Sequence, residues 1–235
     1  MGMIRSTIIA ASFVLGASAA SATTVTLQQQ SASDVFAGGG AANVRVQLDS
    51  TTYNANAGGF RVTDGTNDFI AWCLDLVNNL SLPSVYSVTS TPFSNTTGTF
   101  SASVQHNLQR LFNTSYRDLD LDDNVQSAGF QLALWEIVYE GDPNLTLNSG
   151  DLRWVGGNSD ARTAANTFLN NLDGPETEEW VLTFFESGKD KYGNQISQNL
   201  VKVAPIPLPA AVWMLGGGIV LMGAVARRRR KAESA

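Results

Sequence analysis

An apolar stretch free of acidic residues lies at each end of this 235-residue chain, and the two together decide which residues remain to build a soluble core. The first, Met1 to Ala22, carries one cation, Arg5, ahead of the apolar run Ile8 to Gly16 and the small residues Ala20-Ser21-Ala22. That order is the order of a secretory signal peptide cut before Thr23, because the apolar run is too short to span a bilayer. The second, Ala210 to Ala226, is uncharged and would be about 26 Å long as a helix, just under the ~30 Å hydrocarbon core. Arg227 to Arg230 and Lys231 follow at once, and such a cluster holds its end of a membrane helix in the cytoplasm. Both ends give one topology: export, with the middle of the chain outside. The expected organisation is a signal peptide at 1–22, an extracellular region at 23–203, a sorting segment at 204–231 and a short tail at 232–235.

The approach to the second segment is Ile206-Pro207-Leu208-Pro209-Ala210. Alternating prolines keep it extended and exposed, as a processing enzyme requires of its substrate. Motif, short apolar helix and terminal basic cluster together resemble the PEP-CTERM sorting signals, in the variant that reads Val-Pro-Leu-Pro-Ala, here with Ile206 for valine. The resemblance implies Pro207, Leu208, Pro209 and Ala210 as the sorting motif and an exosortase-type transpeptidase as partner. It also implies membrane anchoring followed by residence at the cell surface or in the extracellular matrix of a Gram-negative bacterium.

Six of the 15 Lys and Arg lie in the two ends, but only one of the 21 Asp and Glu does, so the middle carries 9 cations against 20 carboxylates. A net charge near −11 argues against nucleic acid or anionic lipid as a partner, because phosphate binding needs clustered Lys and Arg.

Cys73 is the chain's one cysteine, so no internal disulfide can form, and an odd thiol in an exported protein draws notice. It falls in Asp68-Phe-Ile-Ala-Trp-Cys-Leu-Asp-Leu76, which reads as a strand with Cys73 at its middle and with Phe69, Ala71, Cys73 and Asp75 on one face. A helix is expected over Asp122 to Glu140, opened by acidic caps, closed by Gly141-Asp142-Pro143, and marked by a buried stripe of Ala128, Leu132, Trp135 and Tyr139. Gln131 falls on or beside that stripe. A carboxamide directed into a core needs partners or costs ~1 to 3 kcal/mol.

Trp72-Cys73-Leu74-Asp75 and Phe130-Gln131-Leu132-Ala133-Leu134-Trp135 together resemble the thioester domains of bacterial surface adhesins. Phe130 stands where that family's glutamine motif has threonine. The resemblance implies an internal thioester between Cys73 and Gln131 that captures an amine, with a surface amine, a matrix glycan or a protein as target. A non-reactive structural component of the envelope or exopolysaccharide matrix is the other reading of the same residues.

Other constellations are poorer. His106 falls outside the amphipathic stripe Val104, Leu108, Leu111 and Phe112 and reads as a surface residue, so a Cys73/His106/Asp triad has no supporting motif. Asp118 to Asp123 alternates carboxylates but lacks the glycine and distal glutamate of a calcium loop, and reads as a turn before a helix. The chain is expected not to be an enzyme and to hold no metal or cofactor. Strands at 44–48, 59–63 and 85–89, helices at 101–112 and 161–172, and a closing hairpin of 179–186 with 196–203 complete the reading. The fold class is α+β: a β-rich domain with two or three inserted helices, flanked by the signal peptide and the C-terminal membrane helix.

Overall fold

The computed structural model describes residues 23–206 except 31–33, 95–97, 142–144, 176 and 178. The expected signal peptide, the expected sorting motif Pro207 to Ala210 and the expected membrane helix lie outside the described residues. Among the described residues no helix is long and apolar enough to cross a membrane.

Six strands close an antiparallel barrel. In order around it they are β1 (Thr24–Gln29), β4 (Phe60–Thr63), β5 (Asp68–Cys73), β11 (Leu200–Pro205), β10 (Trp180–Ser187) and β6 (Ser84–Thr89). A separate three-stranded sheet runs β3 (Thr51–Ala57), β2 (Ala42–Leu48), β9 (Leu152–Gly157), with β3 at its edge, and β7 (Phe93–Ser94) pairs with β8 (Gly98–Thr99). Three α-helices stand among the described residues: α1 (Ala102–Ser115), α2 (Asn124–Glu140) and α3 (Ser159–Asn170). The domain is therefore β-rich with inserted helices, as the α+β expectation has it.

The local reasons are visible in the sequence. Alternation in Ala42-Asn-Val-Arg-Val-Gln-Leu48 buries Ala42, Val44, Val46 and Leu48 while Asn43 and Arg45 face water, the pattern of a strand with one covered face. Ser101 starts α1 by accepting the Val104 N–H at 3.2 Å. Asp123 starts α2 through the Val125 N–H at 2.8 Å, and Asn158 starts α3 by accepting from Asp160 and Ala161. Each leaves one fewer unsatisfied donor in a first turn. The closing hairpin forms as expected, with Trp180 opposite Pro205 and Phe185 opposite Leu200.

One expectation is corrected. Rather than presenting a stripe, α2 is buried on every side: each residue from Ser127 to Tyr139 is in the core. Against α3 it packs so tightly that a Cβ on Gly129 would stand 2.6 Å from the Ala164 Cβ, so only glycine fits there. On its other sides it meets β2, β3, β9 and the end of β5. A helix apolar all round is a core helix, not a surface one.

Candidate functional site

β5 ends at Cys73, not beyond it, so the expected nine-residue strand is three residues too long and Cys73 lies at the end of the strand, not its middle. The reason is topological. β4 pairs with β5 only as far as Phe60 opposite Ala71; before Phe60 the chain turns at Gly58-Gly59 and continues back into β3 of the other sheet. A Cβ on Gly59 would stand 2.7 Å from Ile70 and 3.2 Å from the Trp72 ring, so the turn passes this close to β5 only as glycine. On its far side Cys73 still pairs with Leu200 of β11. On the near side its main chain has lost its strand.

Gln131 fills that gap. The Cys73 N–H donates to Gln131 Oε1 at 2.9 Å, and Gln131 Nε2 donates to the Cys73 carbonyl at 2.8 Å. Both residues are 1% exposed. One carboxamide therefore supplies the acceptor and the donor that a neighbouring strand would have supplied, which answers the demand that every buried amide be partnered.

The rest of the same helix face continues along the chain. The Ser127 hydroxyl accepts the Gly59 N–H at 3.1 Å, and the Tyr139 hydroxyl accepts the Leu76 N–H at 2.8 Å. Ser127 and Tyr139 were not singled out as partners from sequence. Their signal is there: polar groups at 127, 131 and 139, all multiples of four apart, in a buried stretch whose other residues are apolar except Glu136.

Cys73's thiol donates to the Asp75 main-chain oxygen at 2.6 Å. Asp75 is fully buried beyond the strand's end, where its carboxylate accepts the Asn199 N–H at 3.0 Å and the Asn78 N–H at 3.4 Å. Burial first, and then the Asp75 carboxylate, push the thiol well above its ordinary pKa, while its bond to the Asp75 main chain and the Trp135 side chain pull less strongly the other way. The buried Trp135 indole N–H is directed toward the Cys73 sulfur, which is the source of its pull. The resting sulfur is a neutral thiol in an enclosed site.

No family model matches the chain, and no curated protein matches it in sequence.

The remaining candidates stay apart from this centre. His106 lies exposed on α1, whereas the Cys73 thiol is buried and committed to Asp75. Asp118, Asp120 and Asp122 are exposed in the turn before α2, with Asp123 as the cap of that helix. Among the described residues no group of three or more His, Cys, Asp or Glu could hold a metal ion. Glu136 is different in kind: fully buried on α2, it accepts the Thr146 N–H at 2.5 Å and leaves its second oxygen without a partner. Burial, with a smaller push from Glu140, raises its pKa to about 8.

Proposed function

We propose that the chain is an exported, membrane-anchored surface or matrix protein, sorted by an exosortase, whose Cys73 and Gln131 form an internal thioester for covalent capture of an amine. The observation that carries this reading is the 2.9 Å bond from the Cys73 N–H to Gln131 Oε1. It registers the electrophilic carbon of the carboxamide on the residue that bears the nucleophile, and it polarises the carbonyl as an oxyanion donor would. In the bond-forming step the Cys73 thiol loses its proton, its sulfur attacks Cδ of Gln131, and the amide nitrogen leaves as ammonia. A later amine attacks the same carbon, the C–S bond breaks, and the thiol recovers a proton.

A specific observation favours the second reading, a non-reactive structural domain. Gln131 already satisfies both main-chain groups of Cys73, and the raised thiol pKa keeps the sulfur protonated. Intact mass decides between them. For the thioester, protein purified in amine-free buffer weighs one ammonia less than its processed sequence, regains mass with methylamine, and only then exposes a thiol to alkylation. Cys73→Ala and Gln131→Ala abolish the deficit together. A thioester also closes a loop of 58 residues, so its loss lowers stability by up to ~4 kcal/mol, as loss of a cross-link of that span does. A native mass equal to the sequence mass establishes the structural reading.

A further inference from the structure

A cavity of about 570 Å³ opens beside the Cys73–Gln131 centre, between the edge strand β3 and the chain that follows β5. It is lined by Gln131, which bears the electrophilic carbon, and by Trp135, whose side chain acts on the Cys73 thiol. Around it stand Asn79 and Gln198, with Tyr53 and Phe36 and the edge strand β3 at 53–56. Not one of the described lining residues is Asp, Glu, Lys, Arg or His.

One buried polar atom on these walls lacks a partner. Gln198 Oε1 has no donor, while its Nε2 is spent on the Asp75 carbonyl at 3.3 Å; the Trp135 indole N–H is directed toward the Cys73 sulfur. A buried acceptor left open on the lining of a cavity asks for a ligand that donates, as a hydroxyl group does.

Resting on the thioester reading above, we propose that this cavity admits a saccharide and that the amine captured at Gln131 is the free amino group of an amino sugar. Carboxamides serve hydroxyl groups as donors and acceptors alike, and aromatic rings cover the apolar C–H faces of a pyranose. The missing charge argues in the same direction. A lysine side chain arrives as an ammonium, and nothing here compensates the loss of its hydration. The amine of a 2-amino sugar is less basic than a lysine's, so near neutral pH it enters uncharged and nucleophilic more often. Its nitrogen attacks Cδ of Gln131, the C–S bond breaks, and the proton shed by nitrogen restores the Cys73 thiol, leaving a sugar joined through an amide.

The test labels the full chain, purified in detergent and amine-free buffer, with glucosamine, methylamine or Nα-acetyl-lysine, and reads intact mass against concentration. Glucosamine is expected to reach half-labelling at a concentration ~10-fold or more below methylamine, as one or two net hydrogen bonds provide. Glucose suppresses that labelling without adding mass, and Asn79→Ala with Gln198→Ala brings the glucosamine to methylamine ratio toward one. Equal labelling by methylamine and glucosamine overturns the saccharide assignment and leaves the thioester standing. Preference for Nα-acetyl-lysine also overturns it, in favour of a protein acceptor. Native protein of full sequence mass that takes up none of the three overturns the thioester and this inference with it.

Discussion

Two helices of similar length show opposite relations between sequence and surroundings. In α1 the buried residues Val104, Leu108, Leu111 and Phe112 recur at helical spacing while His106 faces water. In α2 every residue from Ser127 to Tyr139 is buried, so apolar periodicity carries no direction. A helix that borders solvent writes its orientation into its period. One enclosed on all sides does not, and its contacts are marked instead by the few polar groups it retains. The candidate site belongs to the second kind, with Ser127, Gln131 and Tyr139 holding main-chain N–H groups of the Gly58-Gly59 turn, the end of β5 and the chain that follows it.

The comparison is broken most directly at Phe130, which a surface helix would turn toward water. Its ring lies 4.6 Å from Trp72, 5.1 Å from Phe112, 5.8 Å from Tyr116 and 5.7 Å from Phe168, measured between centroids. Phe130→Ala is expected to lower unfolding free energy by about 3–5 kcal/mol, the cost of a large cavity in a packed core. His106→Ala on α1 is expected to stay within about 0.5 kcal/mol. Denaturant midpoints of the two variants provide the check, and a Phe130→Ala loss near that of His106→Ala would mean that α2 is not enclosed.

Glu136 sharpens the comparison through pH. Its pKa is raised to about 8 in the fold, from an ordinary 4.5. Between these values the folded chain keeps a proton that the unfolded chain has released, so the unfolded state binds fewer protons and stability falls as pH rises. The stabilising neutral form is fully present below about 4.5 and is lost as pH climbs through about 8. The total is on the order of 2–4 kcal/mol for a buried carboxyl with one main-chain donor. Glu136→Gln should flatten this dependence and be more stable than the parent at pH 9, as read from urea midpoints at pH 5, 7 and 9. A parallel pH dependence in parent and variant would assign the effect elsewhere.

What the sequence reveals follows the same division. Strands with one covered face, such as β2 and β6, and the closing hairpin are legible because burial alternates along them. β3, Thr51-Thr-Tyr-Asn-Ala-Asn-Ala57, was not recognised, since an edge strand rich in Asn and Ala has little apolar alternation to display. β9 ends in Gly156-Gly157, which reads as a turn. Barrel closure depends on β1 pairing with both β4 and β6, long-range choices that no local pattern encodes. At the site, Cys73 and Gln131 were each legible and are brought together. That Gln131 stands in for a missing strand was not legible, because it follows from the chain leaving β4 at Gly58-Gly59.

The smallest expected effect tests whether the two helices differ only in their packing. A cap acts on the first turn alone, satisfying one N–H and, for a carboxylate, complementing the helix dipole. It should therefore be indifferent to what encloses the rest of the helix. Ser101 accepts from Val104 at 3.2 Å at the start of α1, and Asp123 accepts from Val125 at 2.8 Å at the start of α2. Ser101→Ala and Asp123→Ala are each expected to cost about 1 kcal/mol, with Asp123→Ala slightly the larger because a charge is removed as well. Ser101→Asp should retain the parent's stability. A loss several-fold greater for Asp123→Ala, read from denaturant midpoints, would mean that the entry to α2 is coupled to its buried length. The carboxamide of Gln131 would then be held in place from the helix start as well as from its own two bonds.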